Sequence, residues 1–264
     1  SDYVAIALNA LKTESDISIV AATYLQFETA IWAYANPAKR DALRTQVADA
    51  TAAMLANAAP GSDHQMQFAR AFANNAITPA HMEKLKEILN GSEKGLIIDA
   101  EIRWYIFICG VKRGVFGPTE IEAESAKDNT AHGKQYTAYA YAAIPTKEAK
   151  AAAFKSVTTD NLSNTIHSYM CRGFNENIHH ELLAGFVDQY FDAILKVWET
   201  KGFEIAETTA TLLFPSWVIS DETVKKAQHW LDVTGKDASN ALRRSVTEGR
   251  DAMSRAIKAR AADK

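Results

Sequence analysis

Residues 128–157 read DNTAHGKQYTAYAYAAIPTKEAKAAAFKSV, and this stretch decides how the chain is built. Two runs of good helix formers flank Ile144-Pro145-Thr146. Pro145 has a fixed φ and no N–H, so it cannot continue the first helix. The residue before it is pushed out of helical angles. The spacing therefore predicts two amphipathic helices with a proline hinge between them. Each member of such a pair can bury one face only against a neighbour, so the unit is one that stacks.

Working outward, the same punctuation recurs. Segment 15–36 is apolar and aromatic and stops before Asn36-Pro37, where Pro37 suits the first position of a new helix. That helix carries Leu43, Val47, Ala50 and Leu55. Pro60-Gly61-Ser62-Asp63 reads as a turn followed by an N-cap from Ser62 or Asp63. Thr78-Pro79 opens a helix through Met82, Leu85, Ile88 and Leu89, and Asn90-Gly91 closes it. Ile98, Ile102, Tyr105, Ile106 and Cys109 keep helical spacing. Thr119 and Glu122 have the spacing of a capping box. Leu183, Phe186, Val187, Tyr190, Ile194 and Trp198 form the longest clean apolar stripe. After Pro215, Ser220-Asp221 opens a helix, and segment 238–262 places Leu242, Val246, Met253 and Ile257 on one face.

The fold expected is all-α: a superhelical array of antiparallel helix pairs, or α-solenoid of the HEAT/armadillo kind. Roughly a dozen helices in pairs of about 40 residues match the period of such arrays. A globular helical bundle is the alternative. Low Gly and Pro counts (12 and 6 in 264 residues) favour helix, and no alternating β-branched run suggests a strand. An elongated array also escapes the size limit on a single core. The expectation is one helical domain over residues 1–264. The chain starts within a helical pattern and without Met, which suggests a piece of a longer polypeptide.

A net charge of −3 argues against general nucleic-acid binding. The longest apolar run, WYIFICGV at 104–111, is far too short for a membrane span of about 20 residues. Cys109 and Cys171 sit in apolar helical patterns and make no disulfide framework, which fits a reducing cytoplasm.

Catalytic chemistry is not legible. A zinc peptidase helix needs H-E-x-x-H, so that two His one turn apart reach one metal. Here His180-Glu181 is followed by Leu182, Leu183 and Ala184, and His179 and His180 are adjacent on different faces. The segment reads as a solvated helix start. His64, His81, His132, His167 and His229 have no mutual ligand spacing and read mostly as surface groups. Serine elbows and phosphate-binding glycine loops are absent. The basic turn Gly110–Gly114 fits a helix C-terminus better than an anion site, and the arginines of segment 238–262 fit a solvated helix face better than a membrane contact. The five tryptophans read as packing residues.

Several phrases in order carry a resemblance: YANPAKRDALR at 34–44, PGSDHQMQFARAFA at 60–73, GLIIDAEIRWYIF at 95–107, the hinge stretch itself, ELLAGFVDQYF at 181–191 and TLLFP at 211–215. Together they resemble the C-terminal helical domain of the aminopeptidase N family of zinc-dependent gluzincins, in its actinobacterial form. The resemblance implies a larger enzyme whose zinc and catalytic residues lie in another domain of the same polypeptide. Neither H-E-x-x-H nor G-x-M-E-N occurs here, so no catalytic or metal residue carries over, and the chain alone is expected to be inactive and without a cofactor of its own. The domain's implied role is to cap the catalytic chamber and control access of peptide substrates. Tyr169, Arg172 and Asn175 are the residues expected to line that chamber, Arg172 as a fork for a peptide carboxylate. The partners implied are the catalytic domain and peptides, with no nucleic acid and no membrane. A free-standing helical-repeat adaptor and a helical enzyme with an unrecognised site are the competing readings.

Overall fold

The computed structural model describes residues 1–263, and among these there is no β-strand. The all-helical expectation holds. By contacts the chain divides into two compact units, Ser1–Val115 with Ala259–Lys264, and Phe116–Lys258.

The first unit contains α1 (Asp2–Leu11), α2 (Ile17–Glu28), α3 (Arg40–Asn57), α4 (Asp63–Asn75), α5 (Pro79–Leu89) and α6 (Ala100–Val111). After α2 the chain widens into a π-helical stretch, Thr29–Tyr34, and tightens into a 3-10 turn, Pro37–Lys39, before α3. Start signals fall where the sequence puts them. Ser62 accepts from the Gln65 N–H at 3.2 Å, and Thr78 from the His81 N–H at 3.2 Å with Pro79 in the first turn. Gly91 closes α5 at φ +81°, a left-handed conformation that glycine adopts without steric cost. Helix α3 packs on α4, α4 on α6 and α5 on α6. The residues from Ala259 close this unit. Arg260 and Arg40 both donate to the Trp32 carbonyl at 2.8 Å, and Asp263 accepts from the Ser1 hydroxyl and the Asn36 N–H at 2.6 and 2.7 Å. Those two donors, the Ser1 hydroxyl first, hold the Asp263 carboxyl well below the usual carboxylate range.

The second unit contains α7 (Pro118–Lys127), α8 (Ala131–Ala143), α9 (Lys147–Thr159), α10 (Asn164–Phe174), α11 (His180–Leu183), α12 (Val187–Thr200), α13 (Phe203–Leu212), α14 (Asp221–Asp232) and, as far as Lys258, α15 (Asn240–Ala262). Helices pack on near neighbours in sequence: α7 on α8, α8 on α9 and α10, α10 on α13, α12 on α13 and α14. Such near-neighbour packing is compatible with an α-solenoid. Its core is aromatic. Phe174 meets Phe186 and Trp217 edge-on at 5.2 and 5.5 Å, and Phe154 lies 5.1 Å from Phe186. Four of the five tryptophans are buried, and Trp198 packs against this core from its edge.

Three local expectations need correction. The capping box is not at Thr119 and Glu122. Pro118 takes the first helical position, which makes Gly117 the cap, and its N–H is received by Glu120 at 2.9 Å. The stripe from Leu183 to Trp198 has the expected buried face, but α11 ends at Leu183 and a 3-10 turn, Ala184–Phe186, precedes α12. Of the five histidines read mostly as surface groups, His132 and His229 are exposed and His64 is half-buried, but the other two are buried. His81 uses Nδ1 to receive the N–H groups of Ile77 and Thr78, with Nε2 2.9 Å from Asp49, and His167 and His179 are also buried.

Candidate functional site

Helices α8 and α10 cross tightly, and a glycine makes the crossing possible. A Cβ on Gly173 would lie 2.3 Å from the Tyr139 carbonyl oxygen and 2.9 Å from the Ala142 Cβ. Helix α8 is started by Thr130, which receives the Gly133 N–H at 3.0 Å, and ends before Pro145. Helix α10 is started by Ser163.

Lys150, on α9, fastens the crossing. Its side chain is 0% exposed, and Nζ donates to the carbonyls of Ala142 at 2.8 Å, Gly173 at 2.8 Å and Phe174 at 3.1 Å. The last turns of α8 and α10 thus share one cation at their negative ends. Deeper in the unit, His167 Nε2 lies 3.1 Å from the Val157 carbonyl and 3.0 Å from Thr209 Oγ1. The Thr209 hydroxyl proton goes to the Ile205 carbonyl at 2.8 Å, so the imidazole donates through Nε2. Cys171 Sγ approaches the ring at 3.7 Å, yet burial pushes its thiol up to about 12 and lowers the His167 imidazole. A thiol of that pKa is no nucleophile near neutral pH. This Cys–His neighbourhood is packing.

What the crossing presents outward is a tyrosine cluster. Tyr136 and Tyr139, three residues apart on α8, flank Tyr169 of α10 with ring centroids 5.5 and 6.5 Å away, both edge-on. The exposed Arg172 places its guanidinium carbon 5.7 Å over the Tyr169 ring. The Tyr139 hydroxyl donates to Glu176 Oε1 at 2.7 Å. Half-buried tyrosines with a stacked arginine present large rigid contact area at low entropic cost, the composition enriched at binding surfaces.

Of the three residues picked from sequence, Tyr169 and Arg172 belong to this cluster. Asn175 lies at the end of α10, where its amide donates to the Leu212 carbonyl at the end of α13. Its Oδ1 is buried with no hydrogen-bond partner among the described residues. The sequence reading missed Tyr136, Tyr139 and Glu176. The i, i+3 spacing of Tyr136 and Tyr139 was visible, but only the crossing of α8 and α10 brings them to Tyr169. The basic turn after α6 is committed to helix ends, with Lys112 on the Asn74 side chain and Arg113 on the Asn74 and Cys109 carbonyls. Among the described residues no group of three or more His, Cys, Asp or Glu side chains could hold a metal ion. No described helix is long and apolar enough to cross a membrane.

Comparison with known proteins agrees with the resemblance. The chain is 40% identical over 265 residues to aminopeptidase N of Streptomyces lividans, a match that takes in 99% of this chain and 31% of that protein. Residues 1–255 match the family described as ERAP1-like C-terminal domain. With nearly the whole chain inside that match, it belongs to the ERAP1-like C-terminal domain family, as the C-terminal domain of an aminopeptidase N-like protein.

Proposed function

We propose that residues 1–264 serve as one non-catalytic domain of a zinc-dependent aminopeptidase N that removes N-terminal residues from peptides. The catalytic domain, with its zinc, lies elsewhere in the same polypeptide. This domain caps the reaction chamber and controls which peptides enter. The observation that carries the reading is the half-buried Tyr136–Tyr139–Tyr169 cluster with the exposed Arg172 stacked on it. Aromatic rings contact a peptide of any sequence, and a guanidinium fork adds an anchor for a carboxylate at its far end. Asn175 would serve the lining from behind, its amide tying the end of α10 to the end of α13. Opening and closing of such a cap would gate entry and release. Cys109 and Cys171, both buried and in no disulfide, support a cytoplasmic setting.

The test is an assay of this chain alone with an aminoacyl-nitroanilide, alongside a metal analysis of the purified protein. The expected result is no turnover and no stoichiometric zinc. Turnover with one bound zinc per chain would overturn the assignment.

A further inference from the structure

Because Glu120 caps α7, Glu122 is left for other work. It lines a cleft of about 440 Å³ between α7 and α8, together with Ser125, Ala126, Asn129, Thr137 and Tyr141. That volume lies within the usual range for small-molecule sites. The chemistry of the lining is one-sided. Glu122 is its single ionisable carboxylate, and no Lys, Arg or His contributes. Ser125 and Ala126 come from the last turn of α7, the negative end of that helix. The Thr137 hydroxyl proton is spent on the Gly133 carbonyl at 2.8 Å, which leaves its oxygen as an acceptor. The Tyr141 ring is 37% exposed, and its hydroxyl reaches only 3.5 Å from Glu122 Oε1, a long contact that leaves the carboxylate with capacity to accept more. Partial burial, then the adjacent Glu122 charge, raises the Tyr141 phenol above its ordinary value.

A carboxylate, a helix C-terminus, neutral acceptors and an aromatic face all favour a cation. A planar one can pair with Glu122 through its edge and stack on Tyr141 through its face, which a compact ammonium cannot do. We infer that the α7–α8 cleft is a binding site for the guanidinium of an arginyl residue in a peptide. It is separate in residues from the tyrosine cluster, and the inference does not depend on the function proposed above.

The experiment is a titration of the chain with arginine amide, followed by the backbone amide resonances of α7 and α8. Arginine amide should give saturable shifts at residues 122–129 and at Tyr141. Acetyl-Ala-Arg-Ala-amide should bind at least as tightly, because the cleft is open to solvent and holds no group for a free terminus. Citrulline amide, its neutral isostere, and lysine amide should each bind several-fold more weakly. Glu122→Gln, at an exposed position, should weaken arginine amide roughly tenfold through loss of the charge-assisted pair. Tyr141→Leu should weaken it by a smaller factor. Citrulline amide binding as well as arginine amide, an unchanged affinity in Glu122→Gln, or no saturable shift overturns the site. Equal binding of lysine amide overturns the guanidinium assignment. Rejection of the tripeptide overturns the peptide as its source.

Discussion

Lys150→Met tests whether one buried amine holds the α8–α10 crossing together. Methionine matches the length of the lysine stem, so the substitution removes three hydrogen bonds and opens little space. The Phe174 carbonyl keeps a donor, the Glu176 N–H at 2.9 Å. The carbonyls of Ala142 and Gly173 lose the Nζ donor each has now at 2.8 Å. Each buried acceptor left unsatisfied costs about 1–3 kcal/mol, so the gross loss is about 2–6 kcal/mol. Relief from burying an amine acts in the opposite direction, since that desolvation is worth several kcal/mol in real proteins. The stranded groups are dipoles at two helix ends and not an orphaned charge, so we expect a net destabilisation of about 2–4 kcal/mol. At about 2–4 °C per kcal/mol for a domain of this size, the midpoint of thermal unfolding should fall by roughly 5–15 °C. Circular dichroism melts and urea titrations measure this, and amide exchange should show the last turns of α8 and α10 losing protection first. Wild-type stability or better would refute the reasoning, because it would mean the desolvation of Lys150 outweighs the bonds it makes.

Two further outcomes follow from the same unit. Gly173→Ala would set a Cβ 2.3 Å from the Tyr139 carbonyl oxygen, where only backbone movement gives room. The overpacking should cost about 1–3 kcal/mol, more than the helix propensity of up to about 1 kcal/mol that alanine brings, and denaturant titration should show the loss. His167 is held neutral, chiefly by burial that lowers its pKa below 6.5. Between that lowered value and 6.5 the unfolded chain binds the extra proton. The His167 contribution is therefore complete above 6.5 and is lost as pH falls through and below it. A His167→Gln variant should show a smaller drop in melting temperature from pH 7.5 to 5.5 than the parent. An identical drop would exclude His167 from the acid sensitivity.

Helix ends were legible wherever the stopping residue acts locally. Ser62, Thr78-Pro79, Asn90-Gly91 and Pro145 end or begin helices chiefly through their own φ, missing N–H or capping oxygen, whereas Pro37 opens a 3-10 turn ahead of α3 at a boundary that Asp263 also holds through the Asn36 N–H. The failures fall where two local rules compete or where burial decides. Thr119 has the right partner spacing, but Pro118 at the first helical position moves the cap to Gly117. Histidines 81, 167 and 179 carry no sequence mark of burial, because their neighbours come from other helices. The site followed the same division. Tyr169 and Arg172 share one helix turn, and their pairing needs only α10. Tyr136 and Tyr139 join them only through a crossing that Gly173 and Lys150 permit, and nothing in the spacing of residues 128–175 announces it.

The central claim is that this domain shapes a peptide chamber and leaves the bond-breaking to another domain. Its most direct test is the length preference of the complete aminopeptidase carrying Arg172→Ala. The kcat/KM should fall several-fold for peptides long enough to reach the tyrosine cluster and stay unchanged for an aminoacyl-nitroanilide, which has no distal carboxylate. An unchanged length preference, or an equal loss for both substrates, would contradict it.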